Sequence, residues 1–149
     1  PYNLNRYYFE EWARKNYPNA LILRLATPYG LNFKHNRIKK FADERAMQEI
    51  DSAGTYQFYP LSRIWEDIQT ALAEQLTLVN FTSEPITAGE LYRCLTGKEL
   101  PLKTAKDTIK KKLETHDVMS VHAPKFGGSE NYICTKSEIL GSIKQFAEL

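Results

Sequence analysis

The chain has 149 residues, a formal net charge of +2, 42% hydrophobic residues and 26% charged residues, which are ordinary values for a folded domain and argue against disorder over most of its length. So small a charge does not favour a nucleic-acid binder, and no run of about 18 apolar residues predicts a helix that crosses a membrane. No charged and then apolar leader opens the chain, so we expect a cytoplasmic location. Cys94 and Cys134 match no metal-ligand spacing, so we expect free thiols and no metal site.

The predicted elements begin with a helix over residues 3–16, because Leu4, Tyr8 and Trp12 recur every four residues. Residues 20–25 then form a nearly continuous apolar run, which is typical of a parallel strand covered on both faces. Further along the chain we expect a turn over residues 27–30, a helix over 37–50 and an aromatic-rich strand over 55–61.

Capping signals mark two helices after residue 61. We expect Ser62 to cap one helix, and Thr87 with Glu90 has the capping-box pattern of another, which Gly97 ends. The other expected features are an apolar stripe at Ile64, Trp65, Ile68 and Leu72, a strand over residues 76–81, a solvated Lys-rich face over 98–114 and a closing helix over 137–149.

Helices alternate with strands along the chain, and this order favours an α/β layer architecture with parallel strands. Only three candidate strands are visible, whereas a doubly wound sheet normally has more. The sequence therefore predicts part of such a sheet.

Tyr2 and Arg6 stand four residues apart, on one face of the first predicted helix. A fixed positive charge near a tyrosine favours the phenolate and lowers its pKa from about 10. The phenol can then exchange a proton with an alcohol or a carbonyl group near neutral pH. Many helices that are not catalytic have a Tyr and an Arg at this spacing. The pair therefore supports a catalytic role only together with the residues that follow it.

The chain begins with a distinctive order of features: Tyr2-x-x-x-Arg6, then Glu10, then a strand over residues 21–25 and a turn over 26–30. This order resembles the second half of extended short-chain dehydrogenase/reductases, the NAD-dependent nucleotide-sugar epimerase/dehydratase family. Members of that family show Tyr-x-x-x-Lys, a Glu four residues later, and a strand that ends in Leu-Arg. The resemblance continues to about residue 95 through two further strand-then-helix segments, residues 57–68 and 78–91.

This resemblance implies an α/β fold class: the C-terminal part of a Rossmann-like doubly wound sheet plus a smaller mixed α/β substrate-binding region. Residues 1–35 would hold the catalytic helix and strand, and residues 36–149 would form the substrate-binding region. The resemblance also implies a nucleotide-sugar substrate, and NAD or NADP as the cofactor of the full-length protein.

The resemblance assigns roles to individual positions. Tyr2 matches the family's general acid/base, and Arg6 stands where the family has a Lys that bonds the nicotinamide ribose. Arg keeps the positive charge, but its planar fork makes the exchange non-conservative. The remaining implied contacts are to the cofactor, at Leu25, Ala26 and Pro28, and to the substrate, at Thr27, Asn32, Asn36 and Arg63. Two other residues have plainer interpretations: Arg24 can pair with a carboxylate such as Glu10, and Asn80 can form hydrogen bonds at a strand end.

A dinucleotide-binding fold needs a glycine-rich turn between its first strand and helix. The seven glycines of this chain form no such pattern, so the binding turn is absent from it. We therefore expect an enzyme of about twice this length, whose N-terminal half is missing here, and no turnover by the 149 residues alone. A strand edge left open near residues 21–25 would favour homo-oligomers.

Two other interpretations stay open. The chain can be a non-catalytic domain derived from the family that binds a nucleotide sugar or a protein, which Arg6 in place of Lys supports. It can also be an unrelated small α/β interaction domain, whose mark would be a closed core with no exposed sheet edge.

Overall fold

The computed structural model describes residues 2–30, 38–43, 52–100 and 115–147. The strands are β1 (Ile22–Leu25), β2 (Thr27–Tyr29), β3 (Thr55–Tyr56), β4 (Phe58–Pro60), β5 (Leu78–Phe81) and β6 (Ile86–Thr87). The α-helices are α1 (Tyr2–Asn16), α2 (Ile38–Ala42), α3 (Ile64–Ala73), α4 (Ala88–Thr96) and α5 (Lys136–Ala147), with 3-10 turns at Leu61–Arg63 and Ala123–Phe126. Most of the helix predicted over 37–50 and most of the Lys-rich segment lie outside the described residues.

The strands form three two-stranded sheets within the described part of the chain. β1 pairs in parallel with β5, in a register that sets Ile22 beside Leu78 and Leu25 beside Phe81. β2 pairs in parallel with β4, and β3 pairs antiparallel with β6. The prediction of a mixed α/β fold with parallel strands is confirmed at this level. None of the described helices is long and apolar enough to span a bilayer.

The helix caps agree with the sequence at α4 but not at α3. The Thr87 hydroxyl accepts the Glu90 N–H while the Glu90 carboxylate accepts the Thr87 N–H, and Gly97 ends the helix in the left-handed region at φ 70°. Ser62 is not a cap, and this prediction was wrong. Residues 61–63 first form a 3-10 turn, and α3 follows Arg63 without a side-chain cap.

One hydrophobic core joins strands β2, β4 and β5 to helices α4 and α5. Tyr59 stacks on Phe81 with ring centroids 5.0 Å apart, and Phe81 meets Phe126 edge-on at 5.4 Å. Leu91 of α4 and Ile143 of α5 are fully buried in the same cluster. This packing places the last helix beside strands that precede it by more than fifty residues, which no local pattern predicts.

Two expectations about burial fail in the first half of the fold. Arg24 and Leu25 of β1 are exposed, so this strand is not covered on both faces by the described residues. Helix α3 turns part of its predicted apolar stripe outwards, with Trp65 68% exposed and Leu72 54% exposed. Both elements keep the apolar pattern of buried structure but are only partly buried, with Leu23 and Ile64 packed against the core.

Candidate functional site

The predicted acid/base pair lies on helix α1. Tyr2 is the first residue of the helix, and Arg6 follows one turn later with an exposed side chain. The prediction of a helix with these two positions on neighbouring turns is confirmed, whereas their chemical roles remain predictions.

Glu10 of α1 and Arg24 of β1 form a fork of two hydrogen bonds. The Arg24 Nη2 donates to Glu10 Oε1 at 2.6 Å, and its Nε donates to Oε2 at 2.9 Å. The bond from Arg24 holds the pKa of the Glu10 carboxyl below its ordinary value against a smaller opposing effect of burial. Charge-assisted bidentate bonds of this kind fix direction as well as distance. The fork therefore sets how α1 lies against β1.

This tie directs the N-terminal turns of α1 towards the carboxyl end of β1. Only residues 17–21 connect the helix to the strand, so the two elements run in opposite directions. At 1.5 Å per residue, Arg6 lies roughly 6 Å and Tyr2 roughly 12 Å beyond Glu10 along the helix axis. Ligands of parallel α/β sheets bind at the carboxyl ends of the strands. The pair thus stands on the side of the sheet where chemistry is expected.

Four of the predicted contact positions connect the β1–β5 sheet to the β2–β4 sheet: Leu25, Ala26, Thr27 and Pro28. The Ala26 N–H donates to the Phe81 carbonyl at 2.9 Å, which ends the pairing with β5. The next N–H, that of Thr27, donates to the Gln57 carbonyl at 3.1 Å and begins the approach to β4. The structure therefore brings these four positions together, at the carboxyl end of β1. Asn32 and Asn36 lie outside the described residues.

Arg63 ties three segments of the fold together. Its guanidinium donates to the Asp67 carboxylate at 3.3 Å, to the Phe126 carbonyl at 2.9 Å and to the Cys134 sulfur at 3.5 Å. Tyr59 donates to the other oxygen of Asp67 at 2.6 Å. Burial raises the pKa of the Cys134 thiol to about 11, so this cysteine stays a neutral thiol at physiological pH. In this arrangement the Arg63 side chain already serves the packing of α3 against residues 123–134.

Gln57 is a residue of this region that sequence reasoning missed. It is buried between β3 and β4, and its amide nitrogen donates to the Ser83 carbonyl at 2.7 Å and to the Val118 carbonyl at 3.0 Å. Its amide oxygen accepts the Val118 N–H at 2.7 Å. The side chain thereby acts as a strand partner for the segment from residue 115 to 120. The sequence signal for this role is the position of Gln57, a single side-chain amide among the aromatic residues of the segment 56–60.

Polar groups beside this segment agree with the plainer interpretations of two residues. Asn80, at the end of β5, donates to the Met119 carbonyl at 2.9 Å, as expected of a hydrogen-bonding strand end. Arg24 pairs with Glu10, the carboxylate that the sequence offered as its partner. Both cysteines are free thiols, and within the described ranges no group of three acidic, histidine or cysteine side chains could hold a metal ion.

The described residues do not fit the phosphates of a dinucleotide. Gly30 follows a strand, but a Cβ added there would meet the Leu61 Cβ at 3.2 Å, so its small size serves packing against the 3-10 turn. Gly97 and Gly127 end helical turns in the left-handed region, which is a capping role. Gly89 follows strand β6 in the first turn of α4, but its N–H donates to the Ser52 carbonyl at 3.2 Å. No described glycine between a strand and a helix thus offers a free N–H to a phosphate.

Comparison with known proteins supports the fold. No model of a protein family matches this chain, and no curated protein matches it. Among solved structures, it is similar to the UDP-N-acetylglucosamine 4-epimerase from Bacillus cereus, with a TM-score of 0.55 and 14% identity over 92% of this chain and 48% of that one. The chain therefore spans about half the length of that enzyme. At this identity the likeness shows the fold alone: a mixed α/β arrangement with short parallel sheets, shared with part of an epimerase.

Proposed function

We propose that this chain is the C-terminal, substrate-binding portion of an NAD(P)-dependent nucleotide-sugar epimerase or dehydratase, similar to a UDP-galactose 4-epimerase, and that it is inactive alone. One observation carries the proposal. The Glu10–Arg24 fork aims the turns of α1 that bear Tyr2 and Arg6 at the carboxyl end of β1, in a chain with the fold of part of an epimerase. Residues 1–35 would supply the catalytic helix and strand, and residues 36–149 the substrate-binding region.

In this proposal the chain's own residues move a proton and place the sugar. Tyr2 exchanges a proton with a sugar hydroxyl or keto group, and the charge of Arg6 stabilises the phenolate. Leu25, Ala26 and Pro28 would lie beside the nicotinamide, and Thr27 would contact the sugar. The nicotinamide cofactor, held by the other half of the enzyme, would accept and return hydride.

A second candidate function is a non-catalytic domain that binds a nucleotide sugar or a protein. Arg6 favours it, because a guanidinium has a different shape and hydration from the Lys ammonium of the resembling family. As a nucleotide-sugar binder, this candidate retains the substrate contacts and loses only turnover.

The test is an assay of the full-length polypeptide with UDP-sugars and NAD. We expect Tyr2→Phe to lower kcat by roughly 100-fold or more with little change in KM, because it removes a proton-transfer group. Tyr8→Phe is the matched control, since Tyr8 lies on the same helix with an exposed side chain, and it should retain activity. Binding of a UDP-sugar without turnover would support the second candidate. Neither binding nor turnover would refute the epimerase and the nucleotide-sugar binder, and would leave the protein binder as the remaining form of the second candidate.

A further inference from the structure

Three buried side-chain oxygens have no hydrogen-bond partner among the described residues: Asn80 Oδ1, Thr82 Oγ1 and Ser120 Oγ. Ser120 is 1% exposed and Thr82 is 2% exposed, so bulk solvent does not pair with either hydroxyl. A buried polar group without a partner costs free energy, and folded proteins rarely leave one in that state. Each of these atoms is therefore expected to bond a partner that is not a described protein group.

The three oxygens belong to segments that close a ring of hydrogen bonds. Asn80 Nδ2 donates to the Met119 carbonyl at 2.9 Å, and the next N–H, that of Ser120, donates to the Asn131 carbonyl at 2.8 Å. The last residue of the third segment closes the ring, because its N–H donates to the Thr82 carbonyl at 3.0 Å. The segments of the ring are residues 80–82, 119–120 and 131–133.

The directions of the side chains bring the three oxygens to one side of β5. Alternate residues of an extended segment share a face, so Asn80 and Thr82 share the face opposite to Phe81, whose ring packs in the core. Asn80 reaches Met119, so the segment that contains Ser120 covers this same face. The three oxygens thus belong to one enclosed space between the segments of the ring, and one small ligand can bond all of them.

The chemistry of the three atoms determines what that ligand can be. The Met119 carbonyl fixes the Asn80 amide, since a flipped amide would set two acceptors against each other, so Oδ1 can only accept. The hydroxyls of Thr82 and Ser120 can donate or accept. The ligand must therefore donate at least one hydrogen bond, which excludes a halide ion. The ring segments contain no carboxylate, so they do not suit a divalent cation.

We propose that one internal water molecule binds within this ring, donates a hydrogen bond to Asn80 Oδ1 and joins the hydroxyls of Thr82 and Ser120. Buried waters typically make about three hydrogen bonds to polar groups that have no other partner. A hydroxyl group of a larger ligand is not favoured, because the three oxygens are buried. The inference does not depend on the proposed function, since it rests only on contacts within this chain.

This water would anchor residues 118–121, which apolar burial does not hold in place. The side-chain amides of Gln57 and Asn80 already bond the backbone of this segment. The water adds a third polar contact, to the hydroxyl of Ser120. The apolar side chains of the segment are exposed: Val118 and Met119 at 48% each and Val121 at 85%.

A high-resolution crystal structure of the full-length polypeptide tests the site directly. We expect electron density for one water whose oxygen lies about 2.7–2.8 Å from Asn80 Oδ1 and from the hydroxyl oxygens of Thr82 and Ser120. A bound cation would be distinguished by contacts of about 2.0–2.6 Å and about six or more oxygen ligands.

The direction of a change in melting temperature gives a second readout. Thr82→Val keeps the shape of the side chain and removes its hydroxyl. If the water is bound, this variant of the full-length polypeptide should melt lower by about 2 °C or more, because the water loses a partner. If the hydroxyl has no partner, the variant should melt at the same temperature or higher, because a buried unpaired group has been removed.

A pair of double variants tests whether the two hydroxyls share one ligand. The shifts of Thr82→Val and Ser120→Ala should not add in their double variant, because both changes remove bonds to the same water. Thr96→Val is the matched control, since its hydroxyl donates to the Tyr92 carbonyl of α4 at 2.8 Å, outside the ring. Its shift should add to that of Ser120→Ala.

Four results would overturn the proposal. The first is a crystal structure with no water between these oxygens, including one in which the hydroxyls of Thr82 and Ser120 bond each other directly. The second is a cation at this position. The third is an unchanged or higher melting temperature for Thr82→Val. The fourth is additive shifts in the double variant of Thr82 and Ser120.

Discussion

The same kind of sequence pattern is buried in one region of the molecule and exposed in another. The first region surrounds α4 and α5, and the second surrounds α1 and β1. Both regions carry amphipathic helices. The apolar residues of α4 and α5, such as Leu91 and Ile143, are fully buried in the hydrophobic core, whereas Tyr8 and Phe9 of α1 are exposed. An apolar stripe therefore indicates a helix face suited to burial, but it does not show which part of the structure covers that face. Among the described residues, the first region buries its apolar side chains and the second leaves many of them exposed.

The largest expected effect tests whether the two regions contribute unequally to stability. Phe81→Ala should lower the free energy of unfolding by about 3–5 kcal/mol, because it removes a buried ring that packs against Tyr59 and Phe126. Trp12→Ala, the matched aromatic truncation on α1, should change it by less than about 0.5 kcal/mol in the 149-residue chain. Urea denaturation measures both. Equal losses would contradict the division into a packed and an unpacked region.

A smaller effect separates the real helix cap from the one expected of the sequence. Thr87→Ala should lower the free energy of unfolding by about 1 kcal/mol, because it removes the acceptor for the Glu90 N–H. Ser62→Ala should be close to neutral, since Ser62 is exposed within a 3-10 turn and caps no helix. Thermal melts of the two variants make the comparison, and a larger shift for Ser62→Ala would show that the assigned caps are wrong.

The smallest effect concerns the tie between α1 and β1. The folded-state pKa of Glu10 lies below its unfolded value, so the tie contributes stability above the unfolded pKa and loses it as the pH falls through the folded pKa. The Arg24 side chain is half exposed, so the contribution should be at most about 1 kcal/mol.

NMR titration of the Glu10 carboxyl measures this effect directly. Arg24→Gln should return its pKa towards 4.5, while Arg14→Gln, which removes the longer 3.7 Å contact, should move it less. If Arg14→Gln moved the pKa more, the Arg24 fork would not be the main tie of α1.

Much of the candidate site could be predicted before the fold was known. The helix with Tyr2 and Arg6, the pairing of Arg24 with Glu10 and the strand-end role of Asn80 all follow from local spacing and ordinary side-chain chemistry. The role of Gln57 could not be predicted, because its partners at Ser83 and Val118 are distant in the chain. Nor could the contacts of Arg63, which depend on where residues 126 and 134 fold back.

Local periodicity and capping chemistry were sufficient for the longer helices, for strands β1 and β5 and for the cap of α4, because those signals act over three or four residues. They were wrong at residues 27–29, which form strand β2 where a turn was expected, and they missed the short strand β6. Local periodicity also predicted fewer strands than a doubly wound sheet normally has. Only the tertiary structure decided which apolar faces are covered, since burial depends on elements brought together from distant parts of the chain. It shows that α1, β1 and α3 carry large apolar side chains that the described residues leave exposed, as at Trp12, Leu25 and Trp65.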